Sequence, residues 1–116
     1  MNYIGKSVPR VDARAKVKGE AVYASDFVMD NQATMKVLMA HRPHALIKSI
    51  DTARAEALPG VIAVLTSKDV PFNEFGYYSY DQPVLCGPST KPHTDRVRYV
   101  RDRVAAVIAE SEVIAK

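Results

Sequence analysis

The sequence predicts an α+β fold in which short helices pack on a mixed sheet. Three mostly apolar stretches have the length and the β-branched content of strands: 35–40, 61–65 and 104–109. A short helical pattern follows Asp51, and Pro59 with Gly60 ends it just before the second strand. A chain of 116 residues fits a single core, so we predict one domain spanning 1–116.

Composition and charge define the broad class of the protein. Charged residues make up 25% of the chain and apolar residues 47%, which are ordinary values and indicate neither disorder nor a fibrous repeat. The net charge of +3 is small and its basic residues are scattered, so no nucleic-acid partner is predicted. The apolar runs fall far short of the ~18 residues that span a bilayer, and the first residues contain no signal-peptide hydrophobic region. We therefore expect a cytoplasmic protein without a membrane partner.

The segment Ala45–Val70 is predicted to be the unit around which the chain is organised, running as strand, helix, turn and strand. The Asp51 carboxylate is expected to cap the helix, and Ala53 and Ala57, at i and i+4, are expected to pack on a sheet. Val61–Leu65 is apolar throughout, which is typical of a strand covered on both faces, and we predict that it is the core strand. The ten-residue connection between the two strands is near the minimum of about a dozen for a parallel crossover, so an offset or mixed sheet and a parallel one both stay open.

Weaker patterns predict the elements on either side of this unit. Residues 1–16 show no sustained period and should form an extended arm, whereas the alternation in 16–26 predicts a strand or strap with Gly19 at a bulge. Ser67 and Ser111 are candidate helix caps. Short elements are predicted at three further places: a helical turn at 67–70, a strand at 96–99 and a helix at 110–116.

Residues 72–94 are predicted to form a long irregular loop pinned by aromatic side chains. Its first half, the 72–80 aromatic loop, contains Phe72, Phe75, Tyr77, Tyr78 and Tyr80. Loops longer than about 12 to 15 residues are usually functional, so this segment is a candidate surface for protein docking. No basic residue lies within 72–80, so the loop lacks the positive charge that a nucleic-acid site needs to bind phosphates. Residues 87–91 lack the second glycine of a phosphate loop and are assigned to a turn.

Four arginines near the C-terminus form the densest basic group of the chain. They are Arg96, Arg98, Arg101 and Arg103. The first two lie on one face of the predicted short strand and could bind phosphates, but Asp95 and Asp102 interleave with the group and can neutralise part of its charge. We predict that this group is a solvated or partner-facing surface.

The histidines and the single cysteine are weak candidates for chemistry. His41 and His44 stand three apart, a spacing that suits a metal on one helix face, but Pro43 lies between them and no third ligand cluster accompanies them. His93 lies alone in the proline-rich loop. Cys86 cannot form an internal disulfide, and without a nucleophile motif around it we expect a small loop hydrophobe. No catalytic, cofactor-binding or metal-binding residue is assigned, and a small metal or thiol enzyme is the least favoured function.

Four pieces of the sequence, taken together, carry a specific pattern. They are IGKSVPRVDARAKVKGEAVYASD at 4–26, HALIKSID at 44–51, ALPGVIAVLTSKDV at 57–70 and VRYVRDRVAAVIAES at 97–111. In this order they resemble the N-terminal α/β hammerhead domain of the molybdenum-binding (large) subunit of the xanthine dehydrogenase and aldehyde oxidase family. The family pattern usually has glycine where Arg101 stands, just before Asp102, and residues 72–94 match no shared motif.

The resemblance implies a hammerhead fold and a parent enzyme, a molybdopterin-dependent hydroxylase or dehydrogenase, of which this chain would be the N-terminal fragment. In that family the molybdopterin contacts and the catalytic glutamate lie after this region, so the resemblance implies a structural and docking module that is inactive alone. Its partners would be the remaining molybdopterin-binding domains and the iron–sulfur and FAD subunits or domains. The alternative is a free-standing protein- or anion-binding module that uses the 72–80 aromatic loop and the arginines at 96–103.

Overall fold

A computed structural model describes residues 3–88 and 93–116. The chain divides into two compact units, one ending at Asp30 and the other comprising Asn31–Lys116. In chain order, the helices and strands are α1 (Ala13–Lys18), a 3₁₀ helix (Ala24–Asp26), β1 (Thr34–Met39), β2 (Ala45–Leu46), α2 (Ala53–Glu56), β3 (Val61–Leu65), β4 (Arg96–Val97), β5 (Arg103–Ala109) and α3 (Glu112–Ala115). This content confirms the predicted α+β class. Within the described ranges, no helix has the length and apolarity needed to cross a membrane.

The first unit contains helix α1, where the sequence predicted an extended arm followed by a strand. Lys16 pairs with Asp12 one turn earlier, with 2.7 Å between the ammonium nitrogen and a carboxylate oxygen. Gly19 adopts φ 73° and ends the helix in a left-handed conformation that glycine reaches without steric cost. The predicted arm is therefore wrong from Ala13 onward, and no strand forms over 16–26, because an i, i+4 ion pair and a glycine C-cap stabilise a helix here.

A three-stranded sheet organises the second unit, with strand order β1-β5-β3 and antiparallel pairing throughout. The central strand is β5, which carries the buried Ala105, Ala106 and Ala109. The prediction of a strand at Val61–Leu65 is confirmed, but its central position is wrong because β3 lies at an edge. A register shift between Val61 and Ala63 leaves Ile62 59% exposed, so the two faces of β3 are not both covered.

A second, two-stranded antiparallel sheet joins β2 to β4 and pairs Ala45 with Val97. The connection from β2 to β3, residues 47–60, therefore runs between two different sheets, and it needs no parallel crossover. All strand pairs in residues 3–88 and 93–116 are antiparallel, so the sheet is not mixed in the way predicted. The predicted strand at 96–99 is confirmed in a shorter form, Arg96–Val97.

Helix α2 is shorter than the sequence suggested and begins one residue later. Its N-cap is Thr52, whose side chain makes no capping hydrogen bond. The Asp51 carboxylate does accept a hydrogen bond from the Ala53 amide at 3.1 Å, but from one position before the cap. Ala53 and Ala57 are both exposed, so the predicted apolar stripe is wrong. A four-residue helix makes barely one turn, and an i, i+4 pair does not fit within it.

The predicted turn after β3 is closed by a different residue from the one expected. The Asp69 carboxylate accepts hydrogen bonds from the amide of Thr66 at 2.7 Å and from its hydroxyl at 2.8 Å, and these bonds lower the pKa of Asp69. Ser67 is not the cap. It is 3% exposed, and its hydroxyl donates to the Pro88 carbonyl at 3.1 Å, which ties this turn to the 72–94 loop.

Helix α3 follows the central strand, and its predicted cap is confirmed. The Ser111 hydroxyl accepts a hydrogen bond from the Ile114 amide at 3.4 Å. Lys36 on β1 pairs with Glu112 at 2.7 Å, and Lys116 pairs with the same carboxylate at 3.2 Å. Both lysines lower the pKa of Glu112. A helix of one turn is thereby attached to the edge strand of the sheet.

Candidate docking groove

The tight turn between β4 and β5 fixes the backbone that carries the arginine group. One oxygen of the Asp102 carboxylate accepts the amide hydrogens of Arg98 at 2.6 Å and of Tyr99 at 3.0 Å. The backbone of the turn is joined to the end of β1, since the Ala40 amide donates to the Asp102 carbonyl at 2.9 Å. Arg101 does not have a positive φ. The turn therefore forms without the glycine of the family pattern.

The 72–80 aromatic loop continues into a hairpin-like segment closed by one side chain. The Asn73 amide group donates to the Leu85 carbonyl and accepts from the Leu85 amide, both at 2.8 Å. Inside this clamp, Phe75 and Gln82 exchange two backbone hydrogen bonds of 2.7 and 3.0 Å. Because the side chain of one asparagine satisfies both polar groups of one residue, it fixes the two ends of the loop together.

The returning arm of the loop is buried beside the central strand. Leu85 is 6% exposed and Cys86 3%, and the Cys86 amide donates to the Arg103 carbonyl at 2.6 Å. A Cβ atom on Gly87 would lie 2.5 Å from the Ser67 hydroxyl, so this close approach requires glycine. Residues 89–92, which include most of the turn predicted at 87–91, lie outside the described residues.

Aromatic rings hold the base of this loop as predicted, but the rings at its tip do not pin it. Tyr77 and Tyr78 are 93% and 96% exposed, and their rings contact each other edge to face. Phe72 and Tyr80 form a similar pair with 5.6 Å between ring centroids. The Asn73 clamp and the backbone bond of the returning arm also hold the loop in place, and the rings of Tyr77 and Tyr78 at its tip remain exposed.

The arginine group and the loop meet at one groove, which we call the arginine groove. Its larger part has a volume of about 580 Å³, and the side chains that line it include all four arginines, Met39 and Tyr99. Residues 81–83 of the loop line the same cavity and also line a neighbouring one of about 260 Å³. The Arg103 guanidinium lies 4.8 Å from the centroid of the Phe75 ring, a cation–π contact that orients it.

The charge of the groove is less compensated than the sequence suggested. Asp102 uses a carboxylate oxygen to bind two backbone amides of the turn. In residues 3–88 and 93–116, no carboxylate lies at ion-pair distance from Arg96, Arg98 or Arg101. Asp102 does line the same cavity as the arginines and offsets part of their charge as predicted, but among the described residues it forms no direct ion pair with these three. Arg96 and Arg98 also do not share a strand face, because β4 ends at Val97.

Nothing in the sequence indicated that residues 81–83 or Met39 would lie beside the arginines. Met39 reaches the groove because β1 pairs with β5, with Met39 opposite Arg103. Residues 81–83 reach it because the Asn73 clamp folds the loop back. Both are long-range consequences of the sheet and the clamp, and no local sequence pattern encodes them.

Cys86 is buried as predicted, and its environment keeps the thiol protonated. Burial, with a further contribution from the nearby Asp102 carboxylate, raises the pKa of Cys86 to about 11, although neighbouring arginines act in the opposite direction. His41, His44 and His93 are exposed. Across the described ranges, no group of three or more His, Cys, Asp or Glu residues is placed to hold a metal ion.

Large apolar side chains are exposed in the first unit and also in the second. No described side chain before residue 31 is buried. Val11, Val17 and Val28 there are 102%, 89% and 86% exposed. In the second unit, Tyr77, Tyr78 and Val113 are the most exposed of the large apolar side chains. Exposed apolar surface on this scale is typical of surfaces that contact other polypeptide.

Comparison with known proteins identifies the relatives of this chain. The family model described as "Aldehyde oxidase and xanthine dehydrogenase, a/b hammerhead domain" matches residues 18–116. A probable xanthine dehydrogenase subunit of Bacillus subtilis (strain 168) is 49% identical over 108 residues, covering 92% of this chain and 14% of that protein. A probable hypoxanthine oxidase of Escherichia coli (strain K12) is 36% identical over 115 residues, covering 99% of this chain and 12% of that protein.

A solved structure has the same fold over almost the whole chain. The reconstituted CO dehydrogenase from Oligotropha carboxidovorans matches with a TM-score of 0.80 and 30% identity, covering 96% of this chain and 13% of that one. The chain thus spans only 12% to 14% of the length of these three proteins.

Proposed function

Since the chain belongs to the aldehyde oxidase and xanthine dehydrogenase family, as its a/b hammerhead domain, we propose that it is a structural and docking domain of a longer molybdopterin-dependent oxidoreductase. In this proposal the domain supplies a folded surface and no catalytic residue. The parent enzyme would oxidise or hydroxylate a carbon centre, as the family resemblance implies, and we propose that it does so in the cytoplasm.

The observation that carries the docking role is the exposed apolar surface, together with the small share of each relative that the chain represents. Val11 and Val17 lie within or next to α1 and are almost fully exposed. Burying such a side chain contributes roughly 1.5 to 3 kcal/mol, so an uncovered row of them favours association. The remaining length of the large subunit is the natural partner, since the chain covers only 14% of the Bacillus subtilis relative.

The proposed cofactor and partners lie outside this chain. Molybdopterin and its metal would be held by the remaining molybdopterin-binding domains, with iron–sulfur and FAD subunits or domains completing the assembly. The described residues do not fit a molybdenum site of their own. The one thiol is buried and held protonated, and no cluster of ligating side chains forms within residues 3–88 and 93–116. No reaction step is assigned to them.

A domain exchange tests this proposal. The matching segment of the Bacillus subtilis protein is replaced by this chain, and the molybdenum content per subunit and the size of the complex are measured. We expect the molybdenum content and the size of the complex to remain within about twofold of the natural protein. Val17→Asp in the exchanged segment should reduce both quantities, because a charge replaces an apolar side chain at the proposed contact.

Arg14→Asp is the matched control, because Arg14 is a polar residue in the same helix. The free chain carrying Val17→Asp should unfold at the same urea concentration as the natural chain. Normal assembly with Val17→Asp would contradict the docking role of this surface. Oxidation of xanthine or an aldehyde by the free chain would contradict the absence of catalytic residues.

A free-standing binding module is the second candidate function. The observation that favours it is the arginine groove, where the arginines at 96–103 and the loop after residue 80 line one cavity. A binding module of this kind would work without the remainder of the large subunit. Retained ligand binding by the free chain, together with failure of the exchanged protein to assemble, would favour it over the docking domain.

A further inference from the structure

We propose that the arginine groove binds an extended acidic peptide segment, with its carboxylates on the arginines and its backbone lying along residues 81–83. The proposal rests on the docking role only for the source of that segment, which would be another part of the assembled oxidoreductase. The binding chemistry itself follows from the groove.

The shape of the groove favours an extended ligand over a compact one. The cavities of about 580 and 260 Å³ share four lining residues: Asp81, Gln82, Pro83 and Arg98. The two cavities therefore lie side by side, and together they make a trough along residues 81–83. Arg101 and Arg103 line its larger end, and Tyr80 and His93 line its smaller end. A chain segment several residues long can follow such a trough, whereas a small anion would occupy one end only.

The charge of the groove selects a polyanionic ligand. Arg96, Arg98 and Arg101 have no carboxylate at ion-pair distance in the described part of the chain, although they line one cavity. Like charges held together repel, and an anion relieves that repulsion. Guanidinium groups bind carboxylates through paired hydrogen bonds of matched geometry, which makes aspartate or glutamate side chains suitable partners.

Acidic residues in the groove wall argue against a nucleic acid. Asp81 and Asp102 line the larger cavity, and Glu74 and Asp81 line the smaller one, so a continuous row of phosphates would meet carboxylates in both. A peptide avoids this repulsion, because its charges sit on alternate side chains and its neutral backbone can pass the carboxylates. Tyr99 is 58% exposed beside the arginines, and tyrosine and arginine are both enriched at the centres of protein interfaces.

The groove is pre-organised, which limits the entropy lost on binding. Asp102 fixes the turn that carries Arg98 and Arg101. The Phe75 ring orients Arg103. The Asn73 clamp holds the loop that supplies the opposite wall. A partner therefore meets arginines whose backbone positions are already set, and less of the interaction energy is spent on ordering.

Binding of a defined probe tests the proposal with the full 116-residue chain. The probe is a fluorescein-labelled octapeptide of alternating aspartate and glycine, followed by fluorescence anisotropy at about 50 mM and about 200 mM salt. The matched peptide has asparagine in place of aspartate. We expect the aspartate peptide to bind at least about tenfold more tightly than the asparagine peptide, and more weakly at the higher salt concentration.

Single substitutions locate the binding. Arg98→Gln and Arg101→Gln should each weaken binding by about tenfold, the effect of one charge-assisted hydrogen bond. Arg54→Gln is the matched control, since Arg54 is exposed on α2 and lines neither cavity. All three variants are first shown to unfold at the urea midpoint of the natural chain. If Arg98→Gln does not fold, Arg101→Gln decides the outcome alone.

Three results would overturn the proposal. The first is equal affinity for the two peptides, and the second is that Arg54→Gln weakens binding of the aspartate peptide as much as Arg98→Gln and Arg101→Gln do. The third is tighter binding of an oligothymidine of eight nucleotides than of the aspartate peptide. Displacement of the peptide by inorganic pyrophosphate at concentrations below those of unlabelled peptide would also overturn it, in favour of a small oxyanion. These readouts do not depend on assembly or molybdenum content, so failure here is distinct from failure of the domain exchange.

Discussion

Asp102 closes the turn before β5 with its own carboxylate. Its hydrogen bonds to the amides of Arg98 and Tyr99 close the turn before β5, while Arg101 keeps an ordinary negative φ. Side chains of aspartate commonly stabilise turns in this way by accepting from nearby amides. The arginine that replaces glycine is consequently free to line the groove.

Replacing Asp102 by alanine should lower the free energy of unfolding by about 1 to 2 kcal/mol, because two amides lose a charged acceptor. Asp102→Asn should cost less, since an amide oxygen can still accept one of these bonds. Urea unfolding measures both values. Asp30→Ala is the control, because Asp30 is exposed and distant in sequence from this turn. A loss below about 0.3 kcal/mol for Asp102→Ala would mean that the carboxylate does not hold the turn.

Stability should depend on the protonation state of Cys86 at alkaline pH. Burial raises the pKa of this thiol from 9.0 to about 11, so the folded chain keeps the proton that the unfolded chain releases. The resulting stabilisation is complete below about pH 9 and is lost as the pH rises towards 11. Urea midpoints across this range should fall more steeply for the natural chain than for Cys86→Ala. Parallel curves of urea midpoint against pH for the two chains would show that the thiol does not contribute to the pH dependence of stability.

The elements of the second unit differ in how much of the core each one carries. Strand β5 lies between β1 and β3 and contributes three of the buried alanines. The short strand β4 contributes Val97, which is 2% exposed and is the largest fully buried side chain in the described part of the chain. A two-residue strand thus contributes one of the most completely buried side chains of the interior.

Val97→Ala should therefore destabilise the chain by about 2 kcal/mol, through lost burial and the cavity left behind. The same substitution at Val113 is the control, because Val113 is 85% exposed and its replacement should change stability by less than about 0.5 kcal/mol. Thermal and urea unfolding of both variants provide the comparison. Equal effects would place Val97 outside the core.

The sequence predicted the positions of the strands better than it predicted their order in the sheet or helix α1. Runs of β-branched residues identified β3 and β5, because such runs fit a pleated, buried surface wherever they lie in a sheet. They could not show which of the two is central, since edge and centre differ only in long-range pairing. Helix α1 was missed because alternation at Val17, Ala21 and Tyr23 resembled a strand, although Asp12, Lys16 and Gly19 carried a helix signal.

The candidate site was predictable in its parts and not in its arrangement. The arginines and the aromatic loop were both identified from composition, but the side chain of Asn73 and the β1–β5 register bring them together. Cys86 was correctly predicted to be a small hydrophobe, because no catalytic motif surrounds it. Residues about 20 positions apart in sequence meet here through tertiary contacts that no short pattern records.

At the scale of the whole molecule, the buried side chains are confined to one unit. In the described part of the chain, every residue that is less than 9% exposed lies after residue 66, and no side chain before Asn31 is buried. The second unit has its own sheets and its own core, as an independently folding domain requires. The exposed apolar residues of the first unit, by contrast, make no core of their own.

Deleting residues 1–30 should leave the unfolding free energy of Asn31–Lys116 within about 1 kcal/mol of the full chain, because the described part of the deleted segment contributes no buried side chain. The same deletion in the domain exchange should abolish assembly, since it removes the exposed valines proposed to dock. Urea unfolding of the full and shortened chains gives the first comparison. A larger loss of stability would show that the first unit supports the core directly.

The Asn73–Leu85 clamp has a practical consequence for protein engineering. Because both ends of the hairpin are fastened by one asparagine side chain, the tip around Tyr77 and Tyr78 is insulated from the sheet. Extra sequence added there, such as an epitope tag or a fluorophore-attachment site, would extend outward without pulling on the interior. That tip is the natural site for labelling the domain within a larger enzyme.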